Sequence, residues 1–198
     1  MNFEQARFNM VEQQIRPWEV LDSRVLSLLQ TIPREDFVPV RYRKLAFADV
    51  AVPLEAGQVM MRPKIEARML QALDVKEDET VLEIGTGSGF ITACLAAMAK
   101  RAVSVELFEE LHREAAARLE SRHTANVELF VGDVMRGWQP EQAHDVVVVT
   151  GSVADNLQLS SLSVLIDGEV VFDPDLTVIE PAESGEIPFS FELPVDTL

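Results

Sequence analysis

Val81-Leu82-Glu83-Ile84-Gly85-Thr86-Gly87-Ser88-Gly89-Phe90 is the stretch whose reading settles the architecture. Thr80 to Ile84 is a short apolar run of strand character, and it leads straight into three alternating glycines. The small-residue segment that follows, Phe90 to Lys100, predicts a helix. A strand that ends in Gly-x-Gly-x-Gly and opens a helix is a nucleotide-binding turn, because glycine allows the tight bend and lets a ligand approach the backbone. Ala102 to Glu106 reads as a second strand, and its terminal Glu106 lies 21 residues after Gly85. A carboxylate there can accept hydrogen bonds from both hydroxyls of a ribose.

The pattern continues outward. Phe108 to Arg122 predicts a long helix, Val127 to Val131 a third strand, and Asp145 to Val149 a fourth that is apolar at successive positions. Strands alternating with helices at this spacing predict an α/β fold, a Rossmann-like, doubly wound and mostly parallel sheet with right-handed crossovers. Upstream, the apolar positions Phe3, Ala6, Met10, Val11 and Ile15 predict a helix that Pro17 ends. Asp22 reads as the N-cap of a second helix, Ser23 to about Leu29, and Lys64 to Leu73 reads as a third. Residues 41–63 read as loops marked by Pro53, Gly57 and Pro63. Downstream, one or two strands are expected over 163–166 and 169–172 around Asp167-Gly168, and 176–179 and 189–193 are expected to pair at a sheet edge. The expected organisation is an N-terminal helical and loop extension, 1–63, on the substrate side of a nucleotide-binding domain, 64–198, forming one compact unit.

Composition bounds the function. The chain has 198 residues, 47% hydrophobic and 25% charged, which excludes global disorder. It holds no run of about 18 apolar residues that would span a membrane. Its start, Met1 to Arg7, carries no apolar signal core, so a cytoplasmic protein is expected. The single cysteine, Cys94, falls in an apolar run and reads as a small buried hydrophobe. The formal net charge is −16. Between Trp138 and Leu198 there are 12 acids and no Lys or Arg. Such a chain repels phosphate backbones, and nucleic acid is not an expected partner. His112, His123 and His144 are scattered, so no metal site is expected.

The loop Gly85-Thr86-Gly87-Ser88-Gly89 departs in spacing from the dinucleotide fingerprint G-x-G-x-x-G. With Glu83 before it, it resembles motif I of the S-adenosylmethionine-dependent methyltransferases. Residues 1–152 more closely resemble the protein-L-isoaspartate O-methyltransferases. The segments that carry this are Ile32-Pro33-Arg34-Glu35-Asp36-Phe37-Val38-Pro39, Ala46-Phe47-Ala48-Asp49, Gly57-Gln58 with Pro63, the glycine loop, Gly132-Asp133 and Val148-Val149-Thr150. The resemblance implies S-adenosylmethionine as cofactor, with S-adenosylhomocysteine as product. It implies cofactor contacts at Glu83, Gly85, Thr86, Gly87, Ser88, Gly89, Glu106, Leu107, Gly132 and Asp133. It places Asp49, Gln58, Met61 and Thr150 at the reaction site. The implied reaction is methylation of the α-carboxyl of L-isoaspartyl residues in proteins or peptides, after which the ester cyclises and reopens to repair the chain.

Three segments depart from the family. Its G-Q-T-I-S-x-P loop is here Gly57-Gln58-Val59-Met60-Met61-Arg62-Pro63, so Val59 and Met61 replace two hydroxyl residues. Its Ala-Tyr-x-Asp is here Ala46-Phe47-Ala48-Asp49, and Gly151-Ser152-Val153 replaces the small and proline residues after Thr150. A buried carboxylate needs donors, and this loop offers backbone N–H groups, Gln58 and Arg62, the last of which reads equally as a surface residue. Met60 and Met61 read as pocket lining or as core filling. Two alternatives stay open: a paralogue that methylates a different small acid or peptide, and a non-catalytic module that only binds the cofactor. The loop spacing disfavours a dinucleotide oxidoreductase.

Overall fold

The computed structural model describes residues 2–134 and 143–150, and the backbone of 152–153, 165–166, 169–170 and 187–188. Helix α1 (Phe3–Met10) starts at Asn2, whose side chain accepts from the Gln5 N–H at 3.1 Å. The helix expected to run on to Ile15 instead widens into a π-helical turn at Val11–Ile15. It then tightens to a 3-10 turn at Arg16–Trp18 and stops at Glu19, whose φ is +63°. The wider turn lets Met10, Val11 and Ile15 all reach the core. Asp22 caps α2 (Ser23–Thr31), accepting from the Arg24 and Val25 N–H groups at 2.7 and 3.4 Å.

Within the segment expected as loops, Val40–Leu45 forms a 3-10 helix, and β1 (Val52–Pro53) pairs antiparallel with β2 (Val59–Met60). Their turn uses positive φ at Ala56 (+54°) and Gly57 (+70°). Pro63 opens α3 (Pro63–Leu73), where its missing N–H is harmless. Then β3 (Thr80–Ile84), α4 (Phe90–Met98), β4 (Arg101–Glu106), α5 (Glu109–Ser121), β5 (Val127–Val131) and β6 (Val146–Val149) follow in the expected order. They build a parallel sheet in the order β5-β4-β3-β6. The fold is therefore Rossmann-like with an N-terminal helical extension.

Two short antiparallel pairs complete the described strands. They join β7 (Ser152–Val153) to β10 (Ile187–Pro188), and β8 (Leu165–Ile166) to β9 (Glu169–Val170). Of the strands expected around Asp167-Gly168, 165–166 and 169–170 are described as β8 and β9; the rest of them, Asp167-Gly168, and the strands expected at 176–179 and 189–193 lie outside the described residues.

Strand alternation divides the core. Val81, Ala102 and Val148 join the large cluster shared with α4, α5 and the N-terminal helices. Leu82, Val103 and Val105 form a second cluster on the opposite sheet face, with Ile84 and Val147 packed against it. Successive strands grow outward from β3 through β4 to β5, and β6 then returns to the other side of β3. That reversal leaves a crevice beyond the carboxyl ends of β3 and β6, where open α/β sheets bind their ligands.

Candidate active site

The ladder runs one rung past the strands. The Gly85 N–H donates to the Val105 carbonyl at 2.8 Å, the Gly132 N–H to the Glu106 carbonyl at 2.9 Å and the Thr150 N–H to the Ile84 carbonyl at 2.8 Å. Gly85, Glu106, Gly132 and Thr150 are thereby held along one rim.

Gly85 has φ +101°, and a Cβ built on it would lie 1.8 Å from the Thr150 carbonyl oxygen. No side chain fits there, and the Thr150 hydroxyl closes the contact by donating to the Gly85 carbonyl at 2.5 Å. Gly89 opens α4 with φ +84°, and a Cβ on it would meet the Ala115 Cβ at 3.1 Å. The spacing of the glycine loop is thus fixed by close backbone approach at its start and by packing on α5 at its end.

Three buried carboxylates surround the loop. Glu106 accepts from the Gly87 N–H at 2.7 Å and the Phe108 N–H at 3.0 Å. Each of its oxygens thus has one N–H donor, with lone-pair capacity left for a ligand. Glu83 is fully buried; its Oε2 accepts from Thr92 at 2.5 Å and Ser104 at 2.6 Å, whereas Oε1 has no partner among the described residues. Burial pushes the Glu83 carboxyl up to about 7, opposed by the Ser104 and Thr92 hydroxyls and reinforced by the Glu106 charge. The Ser104 hydroxyl also lies 2.6 Å from the Thr86 hydroxyl, so the polar chain reaches the glycine loop. Glu66, from α3, is raised by burial and opposed by Arg34.

These groups line one cleft. On the glycine side it holds Glu83, Gly85–Ser88 and Glu106; Gln58, Val59, Met60 and Met61 face them, with Glu66 and Thr150 between. Gln58, Met61 and Thr150 are thus brought to the same cavity as the glycine loop. Met61 is partly exposed and Met60 buried, so the two methionines act as both lining and core. Asp49 is placed elsewhere: it pairs with Lys64 at 2.7 Å, and the Lys64 ammonium sits 3.8 Å from the centre of the Trp18 ring. Leu107 is exposed beside Glu106, whereas Gly132 and Asp133 are half-buried at the end of β5. Arg62 is exposed at the start of α3. Cys94 is buried, and burial raises its thiol well above the usual range. Among the described residues no group of three His, Cys, Asp or Glu could hold a metal, and no helix is long and apolar enough to cross a membrane.

Sequence reasoning missed four residues: Thr92, Ser104, Arg34 and Glu66. Glu66 did leave a signal. It lies on the α3 face that also buries Pro63, Ala67 and Leu70, where a lone acid demands a partner. That partner is Arg34, whose guanidinium forks onto the Glu66 carboxylate at 2.8 and 3.1 Å.

Residues 5–168 match the family model described as protein-L-isoaspartate(D-aspartate) O-methyltransferase. Among curated relatives, the chain is 41% identical over 149 residues to protein-L-isoaspartate O-methyltransferase 2 of Pelobacter propionicus, covering 75% of this chain and 66% of that protein. It is 36% identical over 174 residues to protein-L-isoaspartate O-methyltransferase of Maricaulis maris, covering 88% and 81%. The chain spans under two thirds of some relatives it matches, such as 62% of the protein from Parvibaculum lavamentivorans. A solved structure of a putative protein-L-isoaspartate O-methyltransferase from Plasmodium falciparum, in complex with S-adenosyl-L-homocysteine, shares the fold with a TM-score of 0.60 at 15% identity, covering 74% of this chain and 72% of that one. The family-model match over 5–168, with 36% identity across 81% of the Maricaulis protein, leads to one conclusion: the chain belongs to the protein-L-isoaspartate(D-aspartate) O-methyltransferase family.

Proposed function

We propose that the chain is an S-adenosylmethionine-dependent methyltransferase that esterifies the α-carboxyl of L-isoaspartyl residues in proteins or peptides. The observation that carries this reading is the cleft itself. A glycine loop at the switch point of the sheet sits between a strand-end carboxylate, Glu106, and a buried acid with a free oxygen, Glu83. The carboxylates of Glu83 and Glu106 have no basic side chain as a hydrogen-bond partner among the described residues, so this end of the cleft favours a cation. S-adenosylmethionine carries an ammonium, a sulfonium and a ribose, and when bound it supplies an electrophilic methyl group.

Each residue then has a task. Glu106 accepts from the ribose hydroxyls, and Glu83 offers Oε1 to the ammonium. Leu107, Gly132 and Asp133 border the adenine, with Asp133 accepting from its exocyclic amine. No general base is required, because a carboxylate acceptor is already ionised at neutral pH. What remains is alignment and exclusion of water. Gln58 and the backbone N–H groups of 57–61 orient the acceptor, Thr150 fixes the Gly85 carbonyl beneath it, and Met60 and Met61 keep the cavity dry. Asp49 serves through Lys64, which anchors the segment before α3. An acidic protein of this kind works on protein or peptide acceptors in the cytoplasm rather than on nucleic acid.

The test is transfer of labelled methyl to an isoaspartyl peptide and to the matching aspartyl peptide. Base-labile label on the isoaspartyl peptide alone is expected. Label on neither, from protein that binds S-adenosylhomocysteine, contradicts the acceptor assignment. It then favours the second reading: Val59 and Met61, which line the cleft without hydroxyls, have tuned it to another small acid or peptide.

A further inference from the structure

Arg34 is wholly buried, and it makes four hydrogen bonds with one guanidinium. Nε and Nη2 donate to the two oxygens of Glu66, Nη1 donates to the Ala46 carbonyl at 2.7 Å, and Nη2 also donates to the Met61 carbonyl at 2.6 Å. The Phe90 ring lies 5.5 Å from the guanidinium carbon. Phe90 is the first residue of α4, directly behind Gly89. One side chain therefore ties the end of the Val59–Met60 hairpin, the Ala46 segment and α3 to the helix that opens from the glycine loop.

The chemistry of this arrangement points to geometry rather than to stability. A buried ion pair gains little over an apolar pair of the same volume, because both charges lose their water. What the pair adds is direction. The planar fork bonds Glu66 twice and still reaches two carbonyls, which a lysine ammonium cannot do. The Met61 carbonyl belongs to the segment that lines the cleft, and Glu66 lines it too.

We propose that Arg34, braced by Glu66, is a positioning residue for methyl transfer: it fixes the Met61 and Ala46 carbonyls so that 57–61 presents the acceptor in line with the cofactor, and it governs turnover rather than cofactor affinity. This rests on reading 57–61 as the acceptor loop and Gly85–Gly89 as the cofactor cradle.

Two variants test it. Arg34→Lys keeps the charge and loses the fork. The double variant Arg34→Met/Glu66→Leu removes both buried charges at similar volume, so it carries the test should Arg34→Lys fail to fold. Three quantities are read for each: the Kd of S-adenosylhomocysteine, kcat and KM with an isoaspartyl peptide, and amide hydrogen exchange across 57–61 and 80–84. The expected Kd changes far less than kcat, because the hydrogen bonds of Arg34 go to Glu66, Ala46 and Met61 and none of them to Gly85–Gly89 or Glu106. The expected kcat falls by about tenfold or more, the scale of a misaligned reactant. Exchange is expected to quicken at 57–61 and to hold at 80–84. Losses of equal size in affinity and kcat, or unchanged exchange at 57–61, overturn the proposal. Should the unsubstituted chain bind S-adenosylhomocysteine yet label no isoaspartyl peptide, the acceptor assignment fails on its own, and the exchange at 57–61 decides the role of Arg34.

Discussion

Glu83 titrates far from where a glutamate in an unfolded chain would. Its ordinary value is 4.5, and burial carries it to about 7 in the folded chain. Between those values the folded state holds a proton that the unfolded state has lost. The stability that comes with neutral Glu83 is therefore complete below about pH 4.5, declines as pH rises and is gone above about pH 7. Glu83→Gln is expected to abolish that decline and to leave the chain more stable at pH 8 by on the order of 1–3 kcal/mol. Urea unfolding at pH 5 and pH 8 measures it, and an unchanged pH slope would count against the assignment. The same substitution is expected to weaken cofactor binding, since it removes the charge offered to the ammonium. At this scale the sequence was legible wherever backbone strain dictates the residue. Gly85 and Gly89 sit at positive φ against Thr150 and Ala115, and only glycine satisfies both demands. Arg34 was not legible as a buried group, because its partner Glu66 lies 32 residues away and nothing local distinguishes a buried arginine from a surface one.

Helices and strands were readable where one face is apolar and an end is marked. Asp22 marks α2, and Asp22→Ala is expected to destabilise the chain by about 1 kcal/mol, the usual contribution of an N-cap. Thermal unfolding followed by circular dichroism measures this; no loss would mean that Arg24, which bonds both Asp22 and Asp74, holds the helix start without the cap. The strands β3, β4 and β6 were readable because apolar runs belong to strands covered on both faces, and β5, which exposes Glu128, Phe130 and Val131, was readable from its apolar residues after α5. The π-helical turn at Val11–Ile15 was not, because inserting one extra residue per turn leaves the apolar spacing close to that of an α-helix. The β1–β2 hairpin was hidden for another reason. Each strand is only two residues long, too short for alternation to show, and Pro53 reads as a loop signal. The side of the cleft proposed for the acceptor is built from this hairpin, so that side was legible only through resemblance, whereas the glycine-loop side followed from spacing.

Across the whole molecule, charge and connectivity set the behaviour. A net charge of −16 on 198 residues opposes compaction, and 12 of the acids fall after Arg136 with no base among them. Raising ionic strength from about 0.01 M to about 0.15 M shortens the screening length from about 30 Å to about 8 Å, so the melting temperature is expected to rise. A fall would mean that surface pairs such as Arg41–Glu55 outweigh the repulsion. Connectivity brings the carboxyl ends of β3, β4, β5 and β6 to one rim, and there Glu106 holds both the glycine loop and the turn into α5. This rim is proposed to bind the methyl-donor cofactor through Glu106. Calorimetric titration of S-adenosylhomocysteine into the unsubstituted chain and into Glu106→Ala tests it most directly. The expected result is saturable binding that Glu106→Ala weakens by about 1–3 kcal/mol, the scale of lost hydrogen bonds to a charged group. Equal affinity in the two proteins, or no binding to the unsubstituted chain, would contradict it.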